Sequence, residues 1–141
     1  MSVYAPTNDP APGDSGRSSG DPRRALGRAG EELAAAHMRR RGFDVIARNV
    51  RTRFGEIDLI ARDGEVLAFI EVKTRRGRAG GLSPLEGLHA RQRTRLRRLA
   101  AAWLAATAPR AGARTIRFDA IGVTIDARGR LVRLEHLEGA W

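Results

Sequence analysis

The chain contains no cysteine, which removes disulfides, a thiolate nucleophile and sulfur-ligated zinc from consideration together. A bound metal would have to be held mainly by oxygen, with a histidine as the remaining alternative. Long apolar runs are also missing. Nothing approaches the roughly 18 consecutive apolar residues of a membrane helix, and the N-terminus lacks the basic-then-apolar layout of a secretory signal. A cytoplasmic protein without a membrane partner is the expectation. Aromatic residues make up only 5% of the chain, which disfavours the readout of single-stranded RNA by base stacking. Lysine is almost absent: of 26 basic residues, 25 are arginine and Lys73 is the single exception.

Positive charge, by contrast, is abundant and unevenly placed. Residues 1–22 hold only Arg17 against Asp9, Asp14 and Asp21, which leaves 25 basic and 13 acidic side chains in the remainder. A clustered basic surface attracts polyanions, so nucleic acid is the expected partner, DNA before RNA. The first 22 residues are rich in Pro, Gly, Ser and Asp and cannot bury enough apolar surface to offset their ordering entropy. They are expected to form a disordered tail, and residues 23–141 a single domain.

Within that domain, Ala25-Leu26, Leu33-Ala34 and His37-Met38 recur at helical spacing from Pro22 to Arg41, with Gly42 as a stop signal. Strands are expected at residues 43–47, 56–62 and 65–73, the last two joined by a two-residue turn at Asp63-Gly64. Ser83-Pro84-Leu85-Glu86 offers an N-cap, a proline and a capping-box glutamate for a long helix. Its apolar stripe would be Leu85, Leu88, Leu96, Leu99 and Trp103, broken by Gln92. Two more strands, at residues 116–125 and 131–137, complete the order αβββαββ. That order fits an α/β sandwich around a mixed sheet.

A turn at Asp63-Gly64 would pair Arg62 with Glu65 and set Glu56 opposite Glu71 and Asp58 opposite Phe69. Asp58 and Glu71 then become diagonal neighbours roughly 7–8 Å apart, close enough to converge on one cation. Lys73 follows one pleat further along. Carboxylates crowded on one strand face repel, and a solvated polar face would relieve them as a divalent cation would. Ile60 and Phe69 on that same face favour a cleft. Lysine, unlike arginine, is a compact point charge, so Lys73 is suited to positioning or activating a water and to stabilising charge on phosphorus. Phosphodiester hydrolysis needs hydroxide at neutral pH and neutralised phosphate charge, which one or two Mg²⁺ (or Mn²⁺) ions supply. Asp58 and Glu71 are the expected metal ligands.

Helical geometry aligns Glu31 with the buried positions Ala34 and Met38, and Glu32 with Arg28 and Arg39. Glu31 is therefore the candidate outer ligand or water-orienting base, and Glu32 a surface residue. Glu56 either completes the metal site or accepts from a neighbouring arginine. Arg53, Arg75, Arg76, Arg78, Arg91 and Arg95 are candidates for tracking a phosphate backbone. His37, His89 and His136 are scattered without ligand spacing and are read as structural.

The segments Gly30-Glu31, Gly55-Glu56-Ile57-Asp58-Leu59-Ile60-Ala61 and Phe69-Ile70-Glu71-Val72-Lys73-Thr74-Arg75 resemble the YraN family of uncharacterised bacterial proteins. Arg117-Phe118-Asp119 and His136-Leu137-Glu138-Gly139-Ala140-Trp141 are similar to its later pattern. The resemblance spans about residues 25–141. It implies a restriction-endonuclease-like fold of the PD-(D/E)xK superfamily, similar to Holliday junction resolvases, with Glu31, Asp58, Glu71 and Lys73 at the motif positions. Gln92 stands where the family pattern leads one to expect lysine. The function implied is metal-dependent cleavage of DNA, with branched or recombination intermediates as substrates and a homodimer as the assembly for paired cuts. The alternative is a non-catalytic nucleic-acid-binding adaptor on a nuclease scaffold.

Overall fold

A computed structural model of the chain describes residues 2–4, 21–88, 90–107 and 115–140. The elements run β1 (Ser2–Tyr4), α1 (Pro22–Arg40), β2 (Asp44–Thr52), β3 (Gly55–Asp63), β4 (Val66–Arg76), α2 (Ala90–Ala106), β5 (Thr115–Ile125) and β6 (Leu131–Leu137). All six strands join one sheet in the order β1-β6-β5-β4-β3-β2. Only β4 and β5 are parallel; the other neighbours run antiparallel. A parallel pair cannot be closed by a hairpin, and α2 lies within the crossover between them.

The two helices cover opposite faces. On one, Ala34, Ala35 and Met38 of α1 pack with Leu59, Ala61, Ala68, Ile70, Ile121, Val123, Ile125 and Leu134. On the other, Leu96, Leu99 and Ala100 of α2 pack with Ile57, Ile60, Leu67 and Phe69. The result is a restriction-endonuclease-like α/β sandwich around a mixed sheet, as expected. Among the described residues no helix is long and apolar enough to cross a membrane.

Asp21 caps α1 by accepting from the Arg23 backbone N–H at 3.0 Å, and Pro22 needs no donor at that position. The helix comes close to β4 at one point. A Cβ on the buried Gly30 would lie 1.8 Å from Thr74 Oγ1, so only glycine permits this approach, which sets the neighbouring Glu31 beside the sheet.

Four expectations need correction. The β3–β4 hairpin pairs Asp63 with Val66 and Leu59 with Ile70, so its turn is Gly64-Glu65 rather than Asp63-Gly64. This puts Gly64, at φ 55°, in the first central position, where a two-residue loop favours positive φ. α2 begins at Ala90, not near Ser83. Ser83–Glu86 closes as a tight turn through Glu86 N–H to the Ser83 carbonyl at 3.1 Å, and Gly87 at φ 82° takes the chain out of helical conformation. Leu85 is thereby released to fill the space over Gly122, where a Cβ would meet its Cγ at 2.8 Å. β2 extends to Thr52, five residues beyond the expected end, since its polar residues hide the alternation. Finally, Ser2–Tyr4 pair with Leu134–His136 of β6, so this part of the N-terminal segment is ordered against the sheet edge; residues 5–20 lie outside the described residues.

Candidate metal-binding and nucleic-acid-binding site

The first step in building the site is a break in the β3–β4 ladder. Pairing stops at Leu59–Ile70, and beyond it the Asp58 carboxylate, through Oδ2, accepts the Val72 backbone N–H at 2.8 Å. A side chain thus stands in for the backbone carbonyl, and the strands part where the acids collect. The shifted turn also changes the neighbours: continuing the observed register sets Asp58 opposite Glu71, not diagonal to it, and Glu56 is not opposite Glu71.

β3 reverses its faces across the same point. Leu59 and Ala61 face α1, whereas Ile57, two residues away from Leu59, belongs to the core under α2. The partner strand carries the matching irregularity at Asn49, the one non-glycine residue with positive φ among those described (48°). Asparagine tolerates this left-handed conformation better than most residues. Its side chain hydrogen-bonds Glu31. Asn49 was not singled out from the sequence, where an asparagine between Arg48 and Val50 carries no motif.

Glu31, Glu56 and Asp58 converge so that one carboxylate oxygen from each lies within 4.8 Å of the others. Glu31 comes from α1 and the other two from β3. Glu56 joins the cluster, and it stands 4.0 Å from Arg51 Nε, an ion-pair separation too long for a hydrogen bond. The half-buried Glu31 has its pKa raised, first by burial and then against the lowering effect of Asn49, with Glu56 adding to the rise. For Asp58 the effect is larger. Burial, and then the charges of Glu31, Glu71 and Glu56, outweigh the Val72 hydrogen bond and push it up from 3.8 to about 6.

Glu71 stands outside that three-residue group. Its side chain is buried at 6% exposure, and Oε1 receives both Lys73 Nζ at 3.2 Å and Arg95 of α2 at 3.0 Å. Its other oxygen, Oε2, is buried without a hydrogen-bond partner among the described residues. A buried carboxylate oxygen left unsatisfied is costly, and a cation is a ligand that would satisfy it. With oxygen donors only and no sulfur, the set fits a hard divalent ion such as Mg²⁺ or Mn²⁺. Arg95, expected to meet phosphate, is thus also part of the acidic site.

Lys73 and Arg95 open onto different grooves. One, about 480 Å³, is lined by Lys73, Thr74, Arg75, Leu82, Ser83 and Glu86. The other, about 400 Å³, is lined by Phe54, Arg91, Thr94, Arg95 and Arg98. The remaining candidates for phosphate contact are spread around them. Arg53 is exposed beside Phe54. Arg75 donates to the Leu82 carbonyl at 3.1 Å and Arg76 to that of Asp126 at 3.0 Å, while Arg78 is exposed. Gln92 is half-buried on α2. Glu32 is exposed and ion-paired with Arg48 at 2.6 Å.

A second buried polar chain lies away from these acids. His37 Nε2 is 3.0 Å from His136 Nδ1, and His136 Nε2 is 2.8 Å from Asp119 Oδ2. Arg117 grips Asp119 with two hydrogen bonds of 2.9 Å, and the Gly139 N–H adds a third at 3.0 Å. Burial and the neighbouring His136 lower the His37 pKa from 6.5 to about 4, so His37 is neutral at physiological pH. The network ties α1, β5, β6 and the C-terminal turn together. His37 and His136 are structural, as expected, but joined rather than scattered; His89 lies outside the described residues.

A sequence model of the uncharacterised protein family UPF0102 matches residues 30–123. A UPF0102 protein of Pelotomaculum thermopropionicum is 43% identical over 121 residues, covering 86% of this chain and 98% of that protein. One from Symbiobacterium thermophilum is 50% identical over 110 residues, covering 77% and 89% respectively. One from Frankia alni is 48% identical over 117 residues, covering 83% and 94%.

Proposed function

The chain belongs to the uncharacterised UPF0102 family, that is, the YraN family, and from the side chains it brings together we propose that it is a divalent-metal-dependent nuclease hydrolysing phosphodiester bonds in DNA, with branched or recombination intermediates as its substrates. The observation that carries this reading is Glu71: a buried carboxylate with one oxygen shared by Lys73 and Arg95 and the other unpartnered, beside three further converging acids. Asp58 and Glu71 would hold the cation, with Glu31 and Glu56 in supporting positions. When bound, the ion supplies an activated water and neutralises charge on the phosphate. Asp58 is fixed for its part by the Val72 N–H, which directs one oxygen to the backbone and leaves the other for the cation. Asn49 orients Glu31, where it can accept a proton from an incoming water. Lys73, anchored on Glu71, presents its ammonium at the edge of the 480 Å³ groove, so it can meet a phosphate oxygen there and stabilise the charge that grows in the transition state.

The test is incubation of the purified protein with linear duplex, single-stranded and four-way-junction DNA, in Mg²⁺, Mn²⁺ or chelator, beside Lys73→Ala. Metal-dependent cutting that the variant loses supports the proposal, and a preference for the junction supports the substrate class. Binding without cutting in every condition would instead favour an adaptor.

A further inference from the structure

The acids lie between two grooves, and the grooves differ in kind. The one reached through Lys73 contains the acidic Glu86. The one reached through Arg95 has no carboxylate among its described lining residues and combines Arg91, Arg95 and Arg98 with an aromatic ring, Phe54. Among the described residues no carboxylate pairs with Arg91 or Arg98.

Phe54 sits at the tip of the β2–β3 hairpin and is 38% exposed. That exposure is held in place. The Thr52 hydroxyl accepts the Phe54 N–H at 3.1 Å and donates to the Gly55 carbonyl at 3.0 Å, closing the tip on itself. Gly55, at φ 133°, takes the turn through a backbone conformation that favours glycine, and a Cβ there would make ordinary contact with Leu99 of α2 at 3.5 Å. Two guanidiniums flank the ring, Arg53 at 4.7 Å from its centroid and Arg98 at 5.4 Å. A ring and planar cations at this spacing make a platform on which a nucleobase can stack, while the same cations meet the adjoining phosphates. Bases inside a duplex are already stacked on their neighbours; only an unpaired or flipped base can use such a platform.

We propose that the hairpin tip formed by Phe54, with Arg53 and Arg98 around it, docks an unpaired DNA nucleotide, so that the protein selects places where a duplex opens into single strands. This rests on the reading of the acidic site as a DNA-cleaving centre, which it deepens by naming what lies beside the cut. Arg95 lines this groove and bonds Glu71 at once, so a base stacked at Phe54 places the neighbouring backbone toward the acids. A strand continuing past Glu71 enters the groove of Lys73 and Arg75.

The experiment measures binding of the full chain to a splayed duplex with unpaired arms and to a blunt duplex of equal length, in Ca²⁺ so that affinity is read without turnover. A 2-aminopurine at the first unpaired position reports stacking directly. Wild type is expected to favour the splayed duplex and to quench the probe. Phe54→Ala should lose about tenfold or more on the splayed duplex, the scale of one base–aromatic stack, with little change on the blunt one. Phe54→Leu, which keeps an apolar side chain at the tip, should behave like Phe54→Ala, and Phe54→Trp should retain both the preference and the quenching. Phe54→Leu binding both substrates as wild type does overturns the proposal, even if the protein cuts DNA. A Phe54-dependent preference in a protein that never cuts would uphold the docking site and remove the nuclease reading. Failure of wild type to bind either DNA would remove both.

Discussion

Asp58 gives a quantitative test of the acidic cluster that does not depend on finding a substrate. Holding a carboxylate whose ordinary value is 3.8 at about 6 costs the folded state about 3 kcal/mol once the group is ionised. The folded chain keeps the proton that the unfolded chain releases, so this cost begins as pH rises past 3.8 and is complete above about 6. Asp58→Asn removes the charge, and its side-chain oxygen can still accept the Val72 N–H. In chelator at pH 8 the variant should therefore melt higher than wild type, by roughly 10 °C if all of that energy is recovered in a domain of this size. The difference should shrink toward pH 4, where wild type takes up its proton. Millimolar Mg²⁺ should raise the melting temperature of wild type at pH 8 and move Asp58→Asn much less, because binding to the folded state stabilises it by mass action. The assay is a thermal melt of both proteins at several pH values, with and without the ion. Equal melting temperatures at pH 8 in chelator would refute the account of Asp58 as a carboxylate strained by its neighbours.

Lys73→Arg should reduce cleavage at least about 100-fold while leaving DNA affinity within about threefold, since guanidinium keeps the charge but not the shape; gel cleavage and anisotropy assays separate the two. Gly30→Ala should destabilise the fold by about 1–3 kcal/mol or more, because its Cβ would collide with Thr74, and urea denaturation would show it. The neutral His37 predicts the opposite pH slope to Asp58. With its value lowered from 6.5 to about 4, the unfolded chain binds a proton that the folded chain refuses, so stability falls as pH drops through that interval. The loss approaches about 3 kcal/mol. His37→Gln should flatten this acid-side slope in urea midpoints measured between pH 4 and 7. In wild type the two groups partly cancel, which makes the single substitutions more informative than the parent profile.

The pairs that were legible in the sequence are those where one face is apolar and close to its turn. Leu59, Ala61, Ala68 and Ile70 share the α1 core because alternation survives a slip of the hairpin by two residues in its register. That slip was invisible to the pattern for the same reason: it preserves which side chains face which layer. It does alter who stands opposite whom, and hence the relation of Glu71 to Asp58 and Glu56. Glu31 could be found because helical phase distinguishes it from Glu32. Asn49 and the face reversal at Ile57 could not, since they depend on a backbone irregularity that no residue type announces. Ser83 shows a different limit. Its hydroxyl accepts the Leu85 N–H at 3.0 Å, as a cap would, yet it also donates to the buried Glu135 at 2.9 Å, and tertiary partners decide whether a helix follows.

The parallel pairing of β4 with β5 bears on the order in which the protein is made. Asp58, Glu71 and Lys73 all lie in the hairpin β3–β4, a local structure of the kind that closes in microseconds. Arg95 and β5 must wait for the crossover, whose closure is slower because distant segments have to meet. During synthesis the acids leave the ribosome first. For that interval they lack the guanidinium that later grips Glu71, and a divalent ion, were one bound, would favour the hairpin while the rest of the chain is still being translated. The cation would then belong to the assembly of the domain as much as to the finished protein, and depleting it should slow refolding more than it lowers final stability.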